Sequence, residues 1–364
     1  MTNRKSRSIN KNKNSSTQHL LKARQNKKDE FYTMYEDIEK ELSMYDKEVF
    51  KDKTIFLNCD NYQHSQFFQY FKDKYDELGV KEVHALHRRI QENDSVYHTR
   101  LTRDKNTHTR EFITDVEGIT DGDFREEYSL KLLEEADLVV TNPPFSLVRE
   151  FITLLEDYKK PFLIIASQNT VTYKEVYPLI TDGSVRTGVN SGTMKFLLPE
   201  EYKDNKNAYL DEKDGNYYQS LGNIIWLTTL QPKVKREKLK LTHTYEDDPD
   251  NYPKYYNLDA IEVSKVAEIP KDYKGLMGVP ITYLNKHNPE QFEVLGHARD
   301  EQFIIETPRL RQFRHNKDTG KTVSTKGDLY RPLKTNEKQP MLSYKDEDDN
   351  IYRRVYSRYI IRAV

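Results

Sequence analysis

The chain's 364 residues suit two compact units or one enlarged one, and its composition (36% hydrophobic, 32% charged, mean hydropathy -0.91, one cysteine) excludes a disulfide framework and a cysteine-built zinc site. No run approaches the ~18–20 consecutive apolar residues that cross a bilayer, and no apolar leader of the secretory kind stands at the front, so a cytoplasmic protein with no membrane partner is expected. The net charge of -1 excludes a uniformly basic surface, yet the charges are segregated along the chain, as a phosphate-binding face requires.

Residues 1–27 are rich in Asn, Lys and Ser and nearly devoid of apolar side chains, which predicts a disordered basic arm. Residues 1–28 hold nine Lys or Arg and no acid, leaving 49 basic against 59 acidic residues in the rest. Ile38, Leu42, Tyr45 and Val49 recur at helical spacing and predict one amphipathic helix over 35–49. The apolar run 54–57 predicts a buried strand ending at Asn58, Cys59 and Asp60. Phe67, Phe68, Phe71, Tyr75 and Leu78 predict a helix closed by Gly79, and 80–86 a second strand. The stretch 87–122 is polar and weakly periodic and predicts no definite element.

Beyond it the pattern sharpens into a helix over 128–136, a strand over 137–141, a helix over 147–158, a strand over 162–166 and a helix over 173–180. Strands that are apolar throughout, alternating with helices, are expected of a parallel sheet covered on both faces. The runs 194–198 and 223–230 predict a hairpin-like pair that completes this sheet. From 231 the texture becomes charged, then acidic and Tyr/Pro-rich, with short alternating stretches at 261–263, 292–295 and 359–362, so 231–364 reads as a smaller, irregular region. Within it, 308–334 carries eight Lys or Arg, among them Arg309, Arg311, Arg314, Lys317 and Lys321, against only Asp318 and Asp328. The three arginines alternate with Leu310, Gln312 and Phe313, a spacing able to present guanidinium groups to guanine edges.

The most informative residues are Asn142, Pro143, Pro144 and Phe145, directly after the strand 137–141 and directly before a helix. Ligands of open α/β sheets bind at the carboxyl ends of the strands. Two prolines fix two φ angles, remove two N–H donors and leave rigid carbonyls. Asn142 adds a side-chain acceptor and Phe145 a flat apolar face. Two acceptors beside a stacking plane suit an exocyclic amine on a planar ring, such as adenine N6. A structural Pro-Pro turn is the alternative, and the pattern arises by chance in on the order of one chain per hundred of this length.

In this motif, and in the strings Lys28–Thr33, Gly122–Arg125, Thr141–Glu150, Gly275–Thr282 and Asn288–Phe292, the chain resembles the EcoRI-type adenine-specific DNA methyltransferases. The resemblance spans nearly everything from residue 28 onward. It implies an α/β class I methyltransferase, Rossmann-like, with a mostly parallel seven-stranded sheet flanked by helices over 28–230 and a C-terminal DNA-recognition extension over 231–364. It also implies S-adenosylmethionine as cofactor, duplex DNA as partner, no metal, and a possible cognate restriction endonuclease acting on the same site. Phe31, Tyr32 and Thr33 match the family's N-terminal cofactor segment; Asn58, Cys59 and Asp60 stand at the first strand end, where a Gly-rich turn is usual and this chain has none. Asp123, with Phe124, is the candidate acceptor for the cofactor's adenine amine. The catalytic set is Asn142 to Phe145, and the DNA-binding set Arg309, Arg311, Arg314, Lys317 and Lys321. His84, His87, His98 and His108 have no partners at metal-ligand spacing.

The expected reaction is direct methyl transfer to N6 of an adenine flipped out of the duplex. Two other readings stay open from the residues alone: the same motif serving an RNA base or a protein glutamine amide, and a DNA-binding relative that no longer catalyses.

Overall fold

The computed structural model describes residues 32–59, 64–86, 96–103, 108–113, 122–198, 203–204, 207–303 and 307–364. The basic arm 1–27, Phe31, Asp60 and His87 fall outside them, as does the side chain of His108.

The N-terminal half runs β1 (Tyr32–Thr33), α1 (Tyr35–Leu42), β2 (Thr54–Asn58), α2 (Gln66–Asp73), α3 (Tyr75–Leu78) and β3 (Glu82–Leu86). It continues with β4 (His98–Arg103), β5 (His108–Ile113), α4 (Glu127–Glu135), β6 (Leu138–Thr141), α5 (Val148–Asp157) and β7 (Phe162–Ser167). After α6 (Tyr177–Thr181) come β8 (Arg186–Leu197), β9 (Ala208–Asp211) and β10 (Asn216–Thr228).

These strands form one ten-stranded sheet in the order β1-β8-β10-β7-β6-β2-β3-β4-β5, with β9 beside β10. Its centre, β3-β2-β6-β7, is parallel, and β2 and β6 are buried at every position, which is why they read as unbroken apolar runs. Both flanks are antiparallel. The sheet is therefore larger than the expected seven strands, and its parallel pairing is confined to the middle.

Other differences are local. The helix expected over 35–49 stops at Leu42, where Ser43 folds its hydroxyl onto Lys40 O, and resumes as a 3-10 turn at Lys47–Val49. The helix through Phe67 to Leu78 breaks at Lys74 into α2 and α3; Ser65 caps α2 by accepting from Phe68 N, and Gly79 closes α3 at φ +65°, the left-handed cap glycine adopts without strain. Within the polar stretch 87–122 lie β4 and β5, and the helix expected over 173–180 shrinks to α6 behind a 3-10 segment at Gln168–Thr172. The hairpin-like pair is present as β8 and β10, both longer than expected.

Helices α1 and α2 cover one face of the sheet through Ile38, Leu42, Phe67 and Phe71, packed with Trp226. On the other face, Leu133, Phe151 and Leu155 of α4 and α5 belong to a core that continues without a break into Ile261, Met277, Tyr283 and Tyr359 of the C-terminal half.

That half contains β11 (Lys254–Tyr255), β12 (Leu258–Glu262), β13 (Met277–Pro280), β14 (Phe292–His297), β15 (Leu310–Arg314) and β16 (Lys317–Val323). It ends with β17 (Leu329–Pro332), β18 (Leu342–Lys345), β19 (Ile351–Val355) and β20 (Arg358–Ala363). Two five-stranded sheets result, β11-β12-β13-β20-β14 and β16-β15-β18-β19-β17. The first docks on the segment following β7: Gln168 Nε2 donates to Ile281 O at 3.2 Å, Asn285 Nδ2 to Gln168 Oε1 at 2.6 Å, and Tyr359 OH to Val171 O at 2.8 Å.

Candidate active site

Thr141 closes β6 with no exposed surface, and its Oγ1 donates to Asn58 O at the end of β2. This tie brings Asn142 beside Asn58 at the carboxyl edge of the parallel strands. Asn142 and Phe145 are half-buried, while Pro143 and Pro144 are buried. Pro144 O accepts from Leu147 N at 2.9 Å and turns the chain into α5. Pro143 O accepts no backbone hydrogen bond among the described residues, so it remains available as an acceptor.

The Phe145 ring lies edge-on to Phe196, with centroids 6.5 Å apart and planes at 87°. Phe196 pairs with Thr33 of β1, and Leu197 with Tyr32, so one buried ring links the motif to the N-terminal segment. Sequence reasoning missed Phe196, because its place beside Phe145 depends on a pairing between distant strands. β8 itself is clamped: the Glu41 carboxylate accepts from Val189 N and Asn190 N, each at 2.8 Å, and Arg236 donates to Gly188 O at 2.6 Å.

Asn58 is fully buried, and neither its Nδ2 nor the buried Thr33 Oγ1 has a hydrogen-bond partner among the described residues. Buried polar groups are normally satisfied, so two orphans at one sheet edge fit a polar cofactor carrying carboxylate or hydroxyl groups. Cys59 adopts φ +76°, the left-handed region that side chains rarely enter. The turn after β2 thus keeps a backbone that glycine would favour, although the sequence shows none.

Asp123 is buried ahead of α4 and is held by Arg125, whose Nε reaches Oδ1 at 2.7 Å and Nη2 reaches Oδ2 at 2.6 Å. The same guanidinium spans to Glu150 Oε2 at 2.7 Å, and these partners hold its pKa above the usual arginine value. Arg125 was visible in the Gly122–Arg125 string, but its pairing was not. Phe124 packs edge-on to Phe151 of α5 at 5.2 Å. Tyr32, Thr33, Asn58, Cys59 and the motif thus gather at one edge, with Asp123 and Phe124 anchored to α4 and α5 beside it.

The basic residues of 308–334 separate into two kinds. β15 and β16 form a hairpin whose two-residue turn, His315 and Asn316, has φ +48° and +64°, the twist that suits a tight hairpin. Arg309, Arg314, Lys317 and Lys321 are exposed on it and have no acidic partner among the described residues. Arg311 instead donates to Asp349 at 2.7 Å, and Arg331 is buried against Glu337 at 2.7 Å. The register shift in this hairpin lies on the β16 side, where 318–322 face 311–313, while β15 pairs with β18 without interruption from Arg311 to Arg314. None of these residues approaches the motif in the described contacts.

Among the described residues, no group of three His, Cys, Asp or Glu side chains is placed to hold a metal, and no helix is long and apolar enough to cross a membrane. His84 and His98 bond to each other at 2.9 Å, and His98 bonds on to Tyr128 OH at 2.7 Å.

Residues 19–363 match the family model of the adenine-specific methyltransferase EcoRI. The chain belongs to that family. Its relatives include the type II methyltransferase M.EcoRI of Escherichia coli, 40% identical over 78% of this chain and 90% of that protein. Two more are M.MgeORF184P of Mycoplasma genitalium, 34% identical over 81% of this chain and 91% of the relative, and M.MpnI of Mycoplasma pneumoniae, 36% identical over 75% and 84%. No solved structure matches the chain. This EcoRI-type protein is an adenine-specific methyltransferase.

Proposed function

We propose that the protein transfers a methyl group from S-adenosylmethionine to N6 of an adenine flipped out of a specific duplex DNA sequence. The observation that carries this reading is the Asn142–Phe145 turn, with a free acceptor at Pro143 O and a braced aromatic face at the carboxyl edge of the sheet. A class I methyltransferase core over 28–230 is supported by the parallel run β3-β2-β6-β7 and by β10 lying antiparallel between β7 and β8.

Adenine N6 is a weak nucleophile because its lone pair is delocalised into the ring. The Asn142 amide oxygen and Pro143 O accept the two amino hydrogens, draw the nitrogen toward tetrahedral geometry and stabilise the charge that develops as the bond to carbon forms. Phe145 offers its face to the extruded base, worth about 1–3 kcal/mol of stacking. Asn58 Nδ2 and Thr33 Oγ1 would hold the polar groups of the cofactor, and Asp123, oriented by Arg125, would accept from its adenine amine. When bound, S-adenosylmethionine would supply a methyl group on a sulfonium, whose carbon–sulfur bond breaks as the bond to N6 forms, with a neutral thioether as the leaving group. The proton lost from N6 leaves along the bonds to Asn142 and Pro143 toward solvent.

The region 231–364 serves recognition, with the β15–β16 hairpin carrying Arg309, Arg314, Lys317 and Lys321 to the duplex. We further infer a cognate endonuclease acting on the same site, in keeping with the type II names of the relatives, and a place in the cytoplasm. The test is transfer of labelled methyl from S-adenosylmethionine to duplex DNA, followed by nucleoside analysis: label in N6-methyldeoxyadenosine is expected, and label in a cytosine or in protein alone contradicts the reading.

A further inference from the structure

The strings 275–282 and 288–292 have no task in the active site, yet they bracket the 3-10 segment Ile281–Lys286. That segment is fixed to the large sheet by the Gln168 and Asn285 amides and by Thr187 Oγ1, which donates to Leu284 O at 3.0 Å. Between it, β8 and the ends of β12 and β13 lies a cavity of about 430 Å³. Its polar lining is Ser191, Ser264, Lys265, Thr282, Asn285 and Lys286, with no carboxylate among them. Lys265 is neutralised by Glu268 at 2.9 Å, whereas Lys286 has no acidic partner among the described residues. Asn285 turns its Oδ1 into the protein, where it is buried, and so presents no acceptor to the cavity.

We propose that this cavity holds a backbone phosphate of the bound duplex, an inference that rests on the DNA reading above. Its chemistry is one uncompensated ammonium with the hydroxyl donors of Ser191, Ser264 and Thr282 around it. A single positive charge matches the monoanionic phosphodiester better than the dianion of a phosphate monoester, and hydroxyl and lysine donors are the usual backbone contacts. Its position agrees. Ser191 pairs with Ile225, and Ile225 with Ala166, one residue short of the end of β7. The cavity therefore faces the same carboxyl edge as Asn142, three strand spacings away. At about 4.8 Å each this is about 14 Å, or roughly four base-pair rises.

The position also explains why Ile281–Lys286 is bound so firmly to the segment after β7. A phosphate gripped there is registered directly against the strand next to the motif, so one contact sets how far the target base stands from Asn142. Phosphate contacts of this kind fix register and orientation without reading sequence.

The test is binding of a fluorescent mixed-sequence duplex across a KCl series by wild type, Lys286→Ala and Lys286→Arg, with inorganic phosphate as competitor. Lys286→Ala should reduce the slope of log affinity against log salt by about 0.9, the share of one phosphate contact, and Lys286→Arg should keep it. S-adenosylmethionine affinity, measured on the same samples, should be unchanged and reports that the variants are folded; should the alanine variant fail to fold, Lys286→Gln, which keeps part of the stem without the charge, decides. An unchanged slope in the alanine or glutamine variant overturns the phosphate site. Inorganic phosphate that displaces duplex no better than chloride of equal ionic strength supports the backbone as ligand, and displacement that Lys286→Ala abolishes would assign the cavity to free phosphate instead. A wild type that does not bind duplex at all contradicts the DNA reading and not the geometry of the cavity.

Discussion

Asn142 stands where the buried strand β6 ends, followed by two prolines that have no N–H to donate. Asn142→Ala is expected to lower turnover by on the order of 10²–10³, the loss seen when one preorganised transition-state partner is removed. Cofactor affinity should stay within a few-fold, because the amide is assigned to the target amine; turnover near wild type would remove Asn142 from the mechanism. Phe145→Ala should weaken the extruded state by roughly 1–3 kcal/mol, and Phe145→Tyr much less. Fluorescence of 2-aminopurine at the target position follows extrusion, and a signal unchanged in the alanine variant would end the stacking role. At this scale the motif was legible because its chemistry is contiguous. Phe196 and the Arg311–Asp349 pair were not, since each joins residues far apart in the chain.

Strands β2, β6 and β7 announce themselves because both faces are buried, which forces apolar side chains at nearly every position. β4 gave no such signal. Two of its polar residues are satisfied sideways: His98 lies between His84 and Tyr128, and Arg100 donates to Glu82 at 2.6 Å. Helix ends were misjudged for a related reason, since the apolar spacing runs on through Ser43 and Lys74 while the backbone breaks there. Burial lowers the pKa of His84 and pushes that of His98 down to about 4. The unfolded chain therefore takes up a proton at His98 near pH 6.5, while the folded chain does not until about pH 4. Stability is expected to fall as pH drops through this window, by up to about 1.4 kcal/mol per pH unit for this one group, and to level off below it. Glu337, held down to about 2 by Arg331, acts in a lower window: its stabilisation is present above its unfolded pKa and is lost as pH falls toward 2. Urea unfolding of wild type and His98→Phe at several pH values tests the assignment; a slope between pH 6.5 and 4 that the variant does not flatten would contradict it.

The whole molecule joins a ten-stranded sheet to two smaller ones, and the shared core of Phe151, Ile261, Met277 and Tyr359 makes the C-terminal half a fixed wall of the large sheet. The pattern of alternating strands and helices exposed the first sheet in the sequence, but the other two are built from short strands paired out of order, such as β13 with β20, which no local periodicity records. On the reading proposed above, recognition depends on what that wall carries. Among the hairpin residues, Arg314 is exposed at the turn and free of acidic partners, whereas Arg311 is bound to Asp349. Arg314→Ala is expected to relax sequence preference, and Arg311→Ala to cost stability with preference kept. Deleting residues 1–27 should weaken binding to all sequences alike and flatten the salt slope. Competition between specific and scrambled duplexes at two salt concentrations separates these effects, and a changed specificity ratio after arm deletion would contradict the division.

The most direct measurement of all is long-read methylation mapping of plasmid DNA from cells expressing either the wild type or Asn142→Ala. The wild type should place N6-methyladenine at one adenine of one recurring sequence, and the variant should leave that adenine bare. Methyl groups on cytosine, methylation with no recurring sequence, or equal marking by the variant would contradict an adenine-N6 methyltransferase acting through Asn142.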